Sequence, residues 1–241
     1  MSLAVVGPEA AALLGEIDDP AGNLVLRAAS AFRRRFGGGP WALTLEKRLP
    51  VASGLGGGSA DAAATLRLLC RIENIAPGKA ALTDIAAGLG ADVPVCLRAR
   101  AALMGGTGER IAPADGLEGL GIVAVNPRVP LSTAAVFGDF GARPAPGEAP
   151  APAATRMACA DWLGRIAAAR NDLEAPAMAR VPVIAEARAE LAAMPGCRLA
   201  RMTGSGATVF GLFDDEAARD AAARRIGTAR PGWWVRAGRL V

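Results

Sequence analysis

The stretch Leu49-Pro50-Val51-Ala52-Ser53-Gly54-Leu55-Gly56-Gly57-Gly58-Ser59-Ala60-Asp61 runs without a break into an apolar segment, Ala62 to Cys70, and that junction decides the fold. Four glycines within five positions, 54 to 58, remove the Cβ atoms that keep a backbone away from a ligand, so successive N–H groups can turn inward around an anion. Ala62, Ala63, Leu66, Leu69 and Cys70 follow at three- and four-residue spacing, which predicts a helix with one buried face and its unpaired N–H groups at the glycines. The junction therefore reads as a phosphate loop. It is not a Walker loop, because no Gly-Lys-Ser/Thr follows. Nor is it a dinucleotide fingerprint: Ser59 stands where the third glycine belongs, and Pro50 suits a central strand poorly.

Working outward, the chain has 241 residues, enough for one large or two modest cores. No apolar run reaches the ~18 residues that span a bilayer, and Met1-Ser2-Leu3-Ala4-Val5-Val6 lacks the basic and long apolar regions of a signal peptide. A cytoplasmic protein is expected. Cys70, Cys96, Cys159 and Cys197 are scattered without metal-type spacing and read as reduced core residues. Histidine and tyrosine are absent, which leaves carboxylates, lysine, arginine and hydroxyls for any chemistry. The net charge of +4 suits a phosphorylated substrate or a nucleic acid alike, but 4% aromatic residues offer few stacking platforms for bases.

Before the loop, Asp18-Asp19-Pro20 punctuates the chain, Asn23 to Phe36 has helical spacing closed by Gly37-Gly38-Gly39, and Trp41, Leu43 and Leu45 alternate as in a half-buried strand. After it, Leu82 to Ala87 forms a short helix. Asp92 of Gly90-Ala91-Asp92-Val93-Pro94 reads as an N-cap whose carboxylate bonds backbone N–H groups, a role compatible with facing a substrate hydroxyl. Strands are expected at Ala101 to Met104 and Ile122 to Val125, and a helix from Ser132-Thr133 through Phe137. The proline- and alanine-rich residues from Ala142 to Ala154 read as a surface loop. Helices at Trp162 to Ala168 and Val183 to Ala193, strands at Arg198 to Met202 and Ala207 to Phe213 around Thr203-Gly204-Ser205-Gly206, a helix capped by Asp214, and a last strand at Trp233 to Val235 make a split β-α-β succession.

The pattern from Pro50 to Ala60 resembles the second motif of the GHMP kinases. Gly90 to Pro94 is similar to that family's catalytic-aspartate segment, Asn171-Asp172-Leu173-Glu174 to its Asn-Asp-Leu/Phe-Glu stretch, and Met202 to Ala207 to its third motif. Within the family these variants look most like the members that phosphorylate the 2-hydroxyl of 4-diphosphocytidyl-2-C-methyl-D-erythritol in non-mevalonate isoprenoid biosynthesis. The resemblance implies an α+β fold, with a ribosomal protein S5 domain 2-like first domain over 1–118, incomplete at its start, and a ferredoxin-like second domain over 119–241. It implies ATP held by Pro50, Val51, Ala52, Ser53, Gly54, Leu55, Gly56, Gly57, Gly58, Ser59 and Ala60, with Asn23 beside the adenine and Lys47 close by. Asp92 is the implied base, Thr203, Gly204, Ser205 and Gly206 the substrate or third-motif loop, a glycine turn that approaches the nucleotide loop, and Ser59 or Asp61 the ligands of Mg²⁺. The Asn23 side chain serves a helix cap equally well, and Asp61 suits a helix's first turn without any metal. The implied partner is a small molecule with a cytidine diphosphate group, handled by a monomer or weak homodimer without membrane or nucleic acid.

One departure stands out. The family's opening Pro-Ala-Lys-x-Asn strand and its Asp-Gly-Tyr-His segment are not found, and no lysine precedes Lys47. The expectation is a chain that begins inside the first domain, from Met1-Ser2-Leu3, with an exposed sheet edge and little kinase activity. Another GHMP kinase of homoserine or mevalonate type, a catalytically silent nucleotide binder, and an RNA-binding module stay open as alternatives.

Overall fold

The computed structural model describes residues 1–16, 22–76, 78–141 and 152–241. The Asp18-Asp19-Pro20 stop, Pro77, and residues 142–151 of the expected surface loop lie outside the described residues. Contacts divide the chain into two compact units: Met1–Val51 with Gly56–Pro113, and Ala52–Leu55 with almost all of the chain from Ala114 onward.

In the first unit, β1 (Ser2–Val6) runs parallel to β2 (Ala42–Glu46), with Leu3 opposite Leu43. Between them come α1 (Ala10–Glu16), which the sequence reading did not foresee, and α2 (Leu24–Phe36). Val25, Ala28, Ala29 and Phe32 of α2 are buried as their spacing predicts. Asn23 is the N-cap, accepting a 2.9 Å hydrogen bond from the Val25 N–H. The predicted glycine-loop helix is α3 (Gly57–Ile72), whose Ala62, Ala63, Leu66 and Leu69 are fully buried against Phe32, Trp41 and Leu43. Then follow α4 (Lys79–Ala87), α5 (Val93–Arg98) and the antiparallel hairpin of β3 (Ala102–Gly105) with β4 (Arg110–Asp115).

The second unit is built on a four-stranded antiparallel sheet. Its members are β5 (Gly121–Asn126), β7 (Cys197–Met202), β8 (Val209–Phe213) and β9 (Trp234–Arg239), in the order β7-β8-β5-β9. With α9 (Val183–Ala192) and α10 (Glu216–Ala229) as crossovers, this is the expected split β-α-β arrangement. Ile184, Ala187 and Leu191 of α9, and Ala222 and Ile226 of α10, bury against Val123, Val125, Val209 and Phe213. A smaller cluster joins Leu120, Leu212 and Leu163, the last from α7 (Cys159–Ala168). The short strand β6 (Thr155–Arg156) pairs with the last two residues of β4, and α6 (Thr133–Phe140) and α8 (Glu174–Arg180) complete the unit.

Two expected caps need correction. The α10 cap is Asp215, which accepts hydrogen bonds from the Ala217 and Ala218 N–H groups, while Asp214 is drawn into an ion pair with Arg198. Asp92 occupies the N-cap position of α5 but has helical dihedrals, φ −86° and ψ −13°, and makes no capping hydrogen bond. A cap needs extended dihedrals to swing its side chain over the first turn.

Since α3 carries the centre of the first unit's core, Leu66→Ala is expected to cost about 2–5 kcal/mol in urea unfolding followed by circular dichroism. Leu68→Ala, on the same helix but 40% exposed, should stay within about 0.5 kcal/mol of wild type.

Candidate active site

The site begins with an uncapped helix. Gly56 is the N-cap of α3 in left-handed conformation, φ +64° and ψ 24°, and has no side chain to cap with. The first intrahelical bond runs from the Ala60 N–H to the Gly56 carbonyl. Among the described residues, the N–H groups of Gly57, Gly58 and Ser59 have no partner. Three donors and the positive end of a 16-residue helix dipole are thus presented together, an arrangement whose chemistry suits an anion.

Two charged side chains border it within the same unit. Asp92 is exposed, and its Oδ2 lies 3.9 Å from where a Cβ on Gly56 would stand. The buried Val93 and Pro94 seat its helix, and the Arg67 guanidinium of α3 donates to the Cys96 carbonyl at 2.7 Å, tying the far end of α5 to α3. Arg67 went unnoticed in the sequence because a lone arginine on a helix face gives no signal. Lys47 is the second. Its side chain is only 8% exposed, and its Nζ lies 3.5 Å from Asp61 Oδ2 and 3.2 Å from the position of a Gly57 Cβ. A cation beside a helix N-terminus opposes the dipole, so the arrangement gains from further negative charge arriving there.

Asp61 does not occupy the first turn, since α3 starts at Gly57 and places it in the second. It shares a face with Gly58, three residues back, whereas Ser59 is two residues away and turns elsewhere. On the Asp61 side a cleft of about 200 Å³ is walled by Leu13, Leu24 and Leu45, with Asn23, Lys47 and Asp61 as polar members. Asn23 spends its carbonyl oxygen on the α2 cap, which leaves its amide N–H groups uncommitted among the described residues.

The front half of the glycine run, Ala52–Leu55, belongs to the second unit. There the Ser53 carbonyl accepts from the Thr208 N–H and the Gly54 carbonyl from the Thr203 hydroxyl at 3.1 Å. Gly54 has φ +72°, and an added Cβ would stand 2.6 Å from the Thr203 carbonyl oxygen and 2.7 Å from that of Gly206. Thr203, Gly204 and Gly206 therefore brace this part of the run. Ser205 is buried with its hydroxyl 2.9 Å from that of Thr133, and the Asn171 amide donates to the carbonyls of Met202 and Gly204. Asn171 thus fixes the turn between β7 and β8, a role that its sequence surroundings did not disclose.

The thiols add nothing to this chemistry. Burial pushes those of Cys70, Cys96 and Cys197 up, and the Asp92 carboxylate raises Cys96 further. No group of three metal-ligating side chains occurs among the described residues, and no helix among them is long and apolar enough to cross a membrane.

Comparison with known proteins matches residues 23–100 to the GHMP kinases N terminal domain and residues 153–231 to the GHMP kinases C terminal domain. The chain is 50% identical over 245 aligned positions to a 4-diphosphocytidyl-2-C-methyl-D-erythritol kinase of Methylorubrum extorquens, covering 100% of this chain and 82% of that one. It is 51% identical over 247 positions to a protein of the same name from Cereibacter sphaeroides, covering 100% and 83%. Among solved structures, a 4-(cytidine 5'-diphospho)-2C-methyl-D-erythritol kinase superimposes with a TM-score of 0.71 at 29% identity, covering 98% of this chain and 82% of that one. A homoserine kinase from Cytophaga hutchinsonii gives 0.69 at 13% identity, covering 100% and 81%, a likeness of fold alone.

The two glycines of left-handed conformation should respond differently to alanine. Gly54→Ala is expected to cost about 2 kcal/mol or more, since carbonyl oxygens fill the space. Gly56→Ala meets nothing within 4 Å except Asp92 Oδ2 and should cost about 1 kcal/mol. Thermal unfolding of both variants checks the order.

Proposed function

We infer the activity of this chain from one premise: it belongs to the GHMP kinases, a family of ATP-dependent phosphotransferases. It transfers the γ-phosphoryl group of ATP to the 2-hydroxyl of 4-diphosphocytidyl-2-C-methyl-D-erythritol. The reaction type rests on one observation, three unpartnered N–H groups at the start of α3 beneath the uncapped carboxylate of Asp92. The choice of acceptor rests on the half-identical relatives that carry that substrate's name.

The backbone N–H groups of Gly57, Gly58 and Ser59 bind phosphate oxygens, and the α3 dipole offsets their charge. The leucine-walled cleft takes the adenine, with the Asn23 amide donating to a ring nitrogen and the Lys47 ammonium close to Gly57, where the phosphates begin. Asp92 accepts the proton of the 2-hydroxyl as its oxygen attacks the γ-phosphorus; the P–O bond to the β-phosphate breaks and ADP leaves. Mg²⁺, when present with the nucleotide, would supply charge neutralisation to the phosphates, and Ser59 or Asp61 would be the residues to hold it. Ser59, at the mouth of the helix, fits that ion better than Asp61, whose carboxylate is held by Lys47.

A coupled assay of ADP release tests the reading over three acceptors: the cytidyl substrate, homoserine and mevalonate. Turnover on the first alone is expected, turnover on another reassigns the enzyme, and ATP binding without any turnover makes it the silent relative. The Methylorubrum extorquens enzyme run alongside checks the expectation of a low rate. Asp92→Asn should reduce turnover by about two to four orders of magnitude with ATP affinity retained in calorimetry. Undiminished turnover would remove Asp92 from the chemistry.

A further inference from the structure

Among the described residues, Ala52–Leu55 make hydrogen bonds only to the turn between β7 and β8. The Ser53 carbonyl accepts from the Thr208 N–H at 3.3 Å and the Gly54 carbonyl from the Thr203 hydroxyl. The fit is close, for a Cβ on Gly204 would stand 2.8 Å from the Gly54 carbonyl oxygen. The N–H groups of Gly54 and Leu55 have no partner among the described residues. The front half of the glycine run thus takes its conformation from Thr203–Thr208, and whatever places that turn places those donors.

The Thr208 end of the turn is set from within the sheet. Asn126, at the end of β5, donates from its amide to the Thr208 hydroxyl at 2.9 Å, and both residues are buried. The Thr203 end depends on Asn171. Its amide donates to the carbonyls on either side of Thr203, at 3.1 Å to Met202 and 2.8 Å to Gly204. Its carbonyl oxygen accepts from the Leu173 N–H at 3.1 Å, so both amide hydrogens are committed and neither is left for a ligand. Arg201, just before the turn on β7, donates to the carbonyls of Ile166, Ala167 and Ala169 at the end of α7. That grip carries the chain two residues beyond Ala169 against the turn. An asparagine that merely closed a hairpin would stand inside it, whereas Asn171 reaches in from 31 residues before Met202.

We propose that Asn171 is a positioning residue for nucleotide binding, which acts through Thr203 on the donors of Gly54 and Leu55 without touching the ligand itself. This role rests on the nucleotide-binding step of the kinase reading and not on its choice of acceptor. Without the two bonds to Met202 and Gly204 the turn is no longer pinned, and ordering the glycine run then costs part of the ATP affinity.

Asn171→Ser separates this role from local folding, because a serine hydroxyl still reaches the Leu173 N–H two residues on but is too short to bridge Met202 and Gly204. ATP–Mg²⁺ is titrated calorimetrically into the full chain, into this variant, into Thr203→Val and into the double variant. Each single variant should bind ATP about fivefold or more weaker, at an unchanged number of sites per chain. The double variant should lose less than the product of the two single losses, since both act through one contact. A residue that only supported folding would lower the number of competent sites and leave the dissociation constant alone. Equal affinity in folded Asn171→Ser, or full additivity in the double variant, would overturn the proposal. Thr203→Val keeps all three Asn171 bonds and tests the same path should Asn171→Ser fail to fold; unchanged affinity there overturns it as well. Wild type that binds no ATP takes the kinase reading down too, whereas wild-type binding with unaffected variants removes this role alone.

Discussion

A helix whose first N–H groups have nothing to bond is the constraint on which the first unit turns. Some helices of this chain answer it with a side-chain cap, as α2 does with Asn23, α6 with Ser132 and α10 with Asp215. At the head of α3 the chain places glycine instead, so water or a ligand must serve the donors. Leaving them open forgoes roughly 1 kcal/mol of capping stabilisation. That loss is tolerable because α3 buries Ala62, Ala63, Leu66 and Leu69 completely, and burial of that kind stabilises by several times as much. A helix held by its flank can leave its tip unsatisfied.

The same logic explains Asp92. A carboxylate that capped α5 would have its oxygens bonded to backbone donors and would be a weaker base. The helical dihedrals of Asp92 prevent that, and Val93 and Pro94 begin α5 without it, Pro94 having no N–H that needs a cap. Both elements nearest the open donors therefore stay uncapped. The stability of each comes from elsewhere, from the core for α3 and from the Arg67 clamp and buried Val93 for α5.

The architecture was readable in the sequence where apolar periodicity sets it. The buried faces of α2 and α3 and the β7-turn-β8 hairpin follow from residue spacing, because burial is periodic and periodicity survives in one dimension. What escaped depends on contacts between distant residues. Asp214 and Asp215 are chemically equal candidates for a cap, and only the presence of Arg198 across the turn decides between them. The helices α1 and α8 are seven residues each, too short to declare a period. The glycine run looked like one phosphate-binding device, yet Gly54 is there because carbonyl oxygens of Thr203 and Gly206 occupy the place of its Cβ. Of the site, Gly56 to Ser59 and Asp92 were visible as a pattern, whereas the burial of Lys47 and the clamp by Arg67 needed coordinates.

Lys47 shows why that burial matters. Of 27 basic residues all but two are arginine, so this chain draws its positive charge almost wholly from guanidinium groups, yet among the described residues the buried cation beside the glycine loop is a lysine. Space explains the exception. With Nζ only 3.2 Å from where a Gly57 Cβ would begin and Leu49 at 3.4 Å from the same point, a compact ammonium fits where a planar guanidinium would press against the helix start. Glycine at position 57 and lysine at position 47 are thus one solution to one problem: the smallest residue and the more compact basic side chain let an ammonium reach the open end of α3.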